Sequence, residues 1–256
     1  MKIYFAKRLV AISDSISAGI FMASQEAEAW NDQAKANVKK ALARIIEECK
    51  FMGLSMTAIY AEKCLQEVDS SKSEEWSLRV DTLEERFRDE IRDLTFFFIP
   101  QDKLNYYQKP DLFGTAVMAN FPAANHEASE AGKCFATARY TACVFHLMRV
   151  LEIALKSVSK GLAIPDSTRD AERNWGKILG KIKVQIEQNN SQKKNDVAWQ
   201  KDKDFYENTY AYLEGVRNPW RNATMHVETN YDEEGASDIF NATSALMRHI
   251  AAKLVE

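Results

Sequence analysis

Two side chains near the C-terminus have the types and spacing that phosphoryl chemistry uses. Arg221 and His226 are separated by four residues, and the polar Asn222 follows the arginine directly. Arginine offers a rigid fork of donors to phosphate oxygens and stays charged. Histidine takes and gives a proton near neutral pH. Held together, the two can cleave RNA with no metal. The 2′-hydroxyl attacks the adjacent phosphorus, the histidine moves the protons, and the arginine stabilises the pentavalent anion.

The spacing alone is not distinctive, because a second match exists: Arg139 and His146, with six residues between them. The second pair is expected inside one long regular helix, where helical spacing signals packing. The first pair has a different setting. Pro219 suits the first turn of a helix, so the chain is expected to kink there and restart around Trp220. Arg217, Asn218, Trp220, Asn222 and Thr224 make the neighbourhood polar for a bundle helix. Polar groups gathered where helices break more often form a site than a core.

The elements that must position this pair are helical. The chain has 256 residues, 46% of them apolar, enough for a substantial core, and only 9 Gly and 5 Pro, too few for a turn-rich β fold. Residues 1–12 read equally as a short strand or a helix start. Apolar steps of three and four through Ala27, Trp30, Ala34, Val38, Ala41, Ile45 and Cys49 predict a helix over about 26–50. Gly53 interrupts, and a second helix follows over 54–68. Ser73 is placed as the N-cap of a third, with the stripe Trp76, Val80, Leu83, Phe87, Ile91, Leu94 and Phe98, and Pro100 as its end. Glu84 and Arg88 are spaced to pair on its wet side. Residues 100–125 read as loop, dividing an N-terminal helical region, 1–115, from a C-terminal bundle, 120–256. The apolar run Phe96-Phe97-Phe98-Ile99 is expected to pack between them. One long helix is predicted over 126–160, with Ala138, Ala142, Phe145, Met148, Leu151, Leu155 and Val158 on its inner face. Further helices are predicted over 174–189, 198–217 and 232–255. The fold class is all-α.

Several chemistries are excluded by what is missing. There is no P-loop or Rossmann glycine motif, no His-Glu-x-x-His, no Glu-x-x-His and no EF-hand loop, so no metal or cofactor is expected. Cys49, Cys64, Cys134 and Cys143 are isolated and read as reduced, buried thiols. No signal peptide and no apolar run of membrane-spanning length is read, and the expected location is the cytoplasm. The net charge of −3 argues against a globally basic nucleic-acid binder but not against a local basic groove. Residues 156–203 hold 11 Lys/Arg against 6 Asp/Glu. That excess fits either an RNA-backbone track or, more commonly, a solvated surface. Trp175, Trp199 and Trp220 suit base stacking or, more often, core anchoring.

The stretch Val216-Arg217-Asn218-Pro219-Trp220-Arg221-Asn222-Ala223-Thr224-Met225-His226 resembles the Arg-polar-x-x-x-His signature of the HEPN superfamily. The segment from Glu130-Ala131-Gly132-Lys133-Cys134-Phe135 through Tyr140, Phe145, Arg149 and Glu152 is similar to that superfamily's long first helix, and Asp232 to Leu254 to its last. The Trp-Arg-Asn-x-x-Met-His string also resembles a group of uncharacterised bacterial proteins. The resemblance covers about 125–256. It implies a bundle of four or five helices that dimerises, with Arg221, Asn222 and His226 of both protomers building one composite ribonuclease site. Arg149, Glu152 and Arg217 are candidates for its supporting shell, Glu152 also reading as an ordinary partner of Arg149 or Lys156. It further implies an RNA substrate, a role as toxin or antiphage effector, and an antitoxin or other regulatory protein as partner. Other members of the superfamily are non-catalytic modules that bind nucleotide, RNA or protein, and that alternative stays open. A scaffold in which Arg221 and His226 merely satisfy each other is the third.

Overall fold

Every regular element among the described residues is helical. The computed structural model describes residues 6–23, 30–96, 98–165, 175–216 and 230–256. The chain divides into two units, one ending at Phe96 and one beginning at Phe97.

The first unit comprises α1 (Ala6–Ala23), α2 (Asp32–Met52), α3 (Ser55–Glu67) and α4 (Ser73–Arg92). Residues 6–12, open between strand and helix in the sequence, are helical. Asn31 starts α2 by accepting from the Ala34 amide at 3.0 Å, and Gly53, at φ 81°, ends it in the left-handed region that glycine tolerates. Val38, Leu42, Ile45 and Cys49 of α2 are buried with Ala58, Ala61 and Cys64 of α3 and with Trp76, Val80, Leu83 and Phe87 of α4. Trp30 stacks on Trp76 with ring centroids 5.6 Å apart, and its Nε1 donates to the Ser71 carbonyl. Ser73 is the first residue of α4 rather than its cap, which is Lys72. Glu84 and Arg88 pair as their spacing predicts, at 2.5 Å.

α3 has no side-chain cap from its own N-cap residue, Leu54. Glu90, on α4, does that work. Its carboxylate accepts from the amides of Met56 (2.9 Å) and Thr57 (2.7 Å) and from the Thr57 hydroxyl (2.6 Å). Burial pushes the Glu90 carboxyl up, but those three bonds outweigh it and hold it below the ordinary value. Glu90→Ala should therefore lower stability by about 2 kcal/mol, the scale of a lost cap with a charged acceptor. Urea denaturation measures it, and an unchanged midpoint would show that α3 does not depend on α4 for its start.

α4 ends at Arg92, eight residues before Pro100. Thr95 to Ile99 is a run of β-branched and aromatic residues, poor helix formers with no polar face. The predicted stripe stops at Ile91. Phe96 and Phe98 are 52% and 87% exposed.

The second unit begins earlier than position 120. After a 3-10 turn, Gln101–Lys103, come α5 (Leu104–Gln108), α6 (Thr115–Asn120), α7 (Pro122–Ala136), α8 (Tyr140–Gly161), α9 (Trp175–Gln192), α10 (Val197–Val216) and α11 (Glu233–Ala251). The stretch read as loop is thus largely helical, and residues 98–115 belong here. Tyr106 packs on Phe135 at 4.7 Å and on Phe240 at 5.3 Å, and Phe113 also meets Phe240 at 5.3 Å.

The predicted helix over 126–160 is two helices. Ala138 takes a left-handed φ of 56°, and the Arg139 amide donates back to the Cys134 carbonyl at 2.8 Å. This is a Schellman ending built on alanine instead of glycine. α8 restarts with a new phase. Its buried face is Cys143, Val144, Leu147, Met148, Leu151, Ala154, Leu155 and Val158, while Ala142 and Phe145, expected inside, are exposed. Ala124, Ala128 and Ala131 on α7 are fully buried. On α11, Ile239, Thr243, Leu246 and Ile250, spaced by four and three, are buried; Leu254 lies beyond the helix end.

Candidate functional site

Arg217, Arg221, Asn222, His226 and Trp220 lie outside the described residues. What frames them is described. α10 ends at Val216, which packs against the second core. Beyond the segment, the Tyr231 amide donates to Thr141 Oγ1 at 3.1 Å, in the first turn of α8. Asp232 caps α11 by accepting from the Gly235 amide at 2.9 Å. Lys103, Tyr140 and Glu233 lock this corner. Lys103 Nζ and the Tyr140 hydroxyl each donate to Glu233 Oε2 at 2.7 Å, and Lys103 also donates to the Tyr140 oxygen. The bonds to Glu233 and Tyr140 hold the Lys103 ammonium above its usual value.

Of the residues proposed as a supporting shell, α8 carries Arg149 and Glu152. Arg149 does not pair with Glu152. Its Nη2 donates to Glu127 Oε1, on α7, at 2.7 Å, and among the described residues Glu152 has no ion pair. Glu127 Oε2 takes its own bond from His146 Nδ1 at 2.8 Å. Each carboxylate oxygen thus has one donor. Burial raises the Glu127 carboxyl, but the bonds from His146 and Arg149 and the nearby guanidinium charge hold it below the ordinary carboxylate value. Next to this cluster, Lys133 pairs with Glu130 at 2.6 Å.

Glu127 and His146 were missed as a pair. Arg139, the sequence partner of His146, is exposed at the N-cap of α8 rather than inside a helix. The helix break gives His146 a different neighbour. The readable signal was His146 and Arg149 at i, i+3, which puts both on one face, together with one acidic residue in the otherwise small and apolar inner face of α7.

Other candidates resolve toward packing. Trp175 and Trp199 are buried, and Trp199 Nε1 donates to Asn190 Oδ1 at 3.0 Å. Within the basic stretch, Lys156, Lys160, Lys177, Lys181 and Lys183 are exposed. The four cysteines are free, and burial pushes the Cys49 and Cys143 thiols up to about 12, a range without thiolate chemistry near neutrality. Among the described residues no group of three or more His, Cys, Asp or Glu is arranged to hold a metal ion, and no helix is long and apolar enough to cross a membrane. Comparison with family models, curated proteins and solved structures gave no match.

Proposed function

We propose that the protein is a metal-independent endoribonuclease of HEPN type, acting as a homodimer in the cytoplasm with a composite site built from Arg221, Asn222 and His226. What carries the reading is the Arg221-Asn222-x-x-x-His226 string, which falls between α10 and α11 of an all-helical unit. Arg217 lies in the same segment, and Arg149 and Glu152 on α8 are its supporting candidates. In this reading His226 moves the proton of the attacking 2′-hydroxyl and Arg221 stabilises the pentavalent anion. The expected setting is a toxin or antiphage effector held in check by an antitoxin or other regulatory protein.

The test is to incubate the purified chain with varied RNAs in EDTA. Wild type should leave 2′,3′-cyclic phosphate ends, and His226→Ala should lose about 10²–10⁴ in rate, the usual contribution of a positioned acid–base group. Equal cleavage by both forms would remove His226 from the mechanism. No cleavage of any RNA, with binding that weakens in Arg221→Ala, would favour a non-catalytic module that binds nucleotide, RNA or protein.

A further inference from the structure

The geometry points to a phosphate-binding site on the outer face of α8, where the guanidinium of Arg149 and Nε2 of His146 hold one phosphate group between them. This site uses none of residues 217–229 and does not depend on the ribonuclease reading.

Three observations carry it. First, Glu127 is a buried anchor. Its side chain is 10% accessible, and its two oxygens are taken one each by His146 and Arg149. Burying a carboxylate costs several kcal/mol unless it is paired and bonded, and here each oxygen has a donor. Its effect is to fix two longer side chains.

Second, those two side chains point outward from the anchor. His146 is 28% and Arg149 55% accessible. With Nδ1–H donating to Glu127, Nε2 is the nitrogen turned to solvent: in the neutral ring it accepts the P–O–H of a monoprotonated phosphate, and in the imidazolium it donates to a phosphate oxygen. The guanidinium has one Nη2 bond to Glu127 and a planar fork of further donors suited to phosphate oxygens. At i, i+3 the two Cβ atoms stand about 5–6 Å apart, a span that one tetrahedral oxyanion bridges.

Third, the surroundings favour an ester over a bare ion. Phe145, adjacent to the His146 ring with centroids 6.3 Å apart, is 42% exposed. It offers a π face to whatever the phosphate carries. Of the other carboxylates beside the site, Glu130 on α7 is matched by Lys133, and Glu152 stands at i, i+3 from Arg149 on α8. A purely structural staple between α7 and α8 would need neither the open guanidinium face nor the exposed aromatic ring.

The test uses the full chain, ¹⁵N-labelled, with inorganic phosphate as the first probe. The His146 ring resonances should move saturably, and sodium chloride at matched ionic strength should not move them. Arg149→Gln should weaken the midpoint roughly tenfold, and Arg149→Lys, which keeps the charge and the pairing to Glu127, should recover part of it. Circular dichroism confirms that each variant is folded. Adenosine 5′-monophosphate and a 5′-phosphorylated oligoribonucleotide are the second and third probes. Tighter binding of either than of phosphate, lost in Phe145→Ala, assigns a nucleoside phosphate or an RNA end. Equal midpoints assign the free ion. His146 resonances that stay still in phosphate, or that move identically in Arg149→Gln, overturn the site.

Discussion

Gly132→Ala is expected to unfold the second unit well below the temperature of the native chain. Gly132 sits on the buried face of α7. A methyl group there would overlap the Tyr106 carbonyl oxygen and meet the Leu112 Cδ1 at 2.5 Å and the Tyr106 carbonyl carbon at 3.3 Å. Leu112 can rotate aside. The Tyr106 carbonyl cannot, because it is backbone within α5. The whole of α5 must shift, and with it the Tyr106 ring packed on Phe135 and Phe240. Overpacking against rigid atoms costs about 3 kcal/mol or more, on the order of 10 °C for a unit of this size. Thermal unfolding followed by circular dichroism reads it directly. A shift below about 1 kcal/mol would mean that α5 is not seated on α7.

The second large effect separates the two faces of α8. Leu151 is fully buried, and Phe145 is 42% exposed on the same helix. Leu151→Ala removes buried methyl groups and leaves a cavity that the surrounding side chains fill only partly. The cost should be about 3–5 kcal/mol. Phe145→Ala removes a larger side chain, but one nearly half exposed to water already, and should cost about 1 kcal/mol. Urea midpoints with an unchanged slope would establish both. Equal costs would contradict the assigned face of α8. The contrast matters because the longer continuous helix predicted from sequence put both residues on its inner face.

What the sequence made legible followed signals with a physical cause. The all-α class, the turn at Gly53, the Glu84–Arg88 pair and the inward face of α11 all come from periodicity or a residue with one conformational preference. The errors have equally definite causes. The α7–α8 break has no glycine or proline to announce it. Ala138 adopts the left-handed region although its own preference opposes it, held by the bond from Arg139 to Cys134. Once that break was missed, the phase of the first turns of α8 was wrong, and Phe145 was placed inside. The extension of α4 to Pro100 assumed that an apolar stripe implies a helix, and the Thr95–Ile99 run has the stripe without the propensity. The division near 115 rested on reading residues 100–125 as loop, where Pro110, Gly114 and Pro122 punctuate short helices instead of separating cores. The candidate site divides in the same way. The Arg221–His226 string was visible because it is local. The Glu127–His146–Arg149 cluster was not, because it depends on how α7 folds back on α8.

The turn at Ala138 has a kinetic consequence. An unbroken helix would hold its two halves end to end, with no side-chain contact between them. The turn lets α7 and α8 meet across a loop of three residues, so α8, which lines the second core along its length, finds its first partner a few positions away in the chain. Closing so short a loop costs little chain entropy, and local pairings of this kind speed folding. The hairpin is thereby suited to be the part of the second unit that assembles first, giving α5 and α11 a formed surface on which to dock.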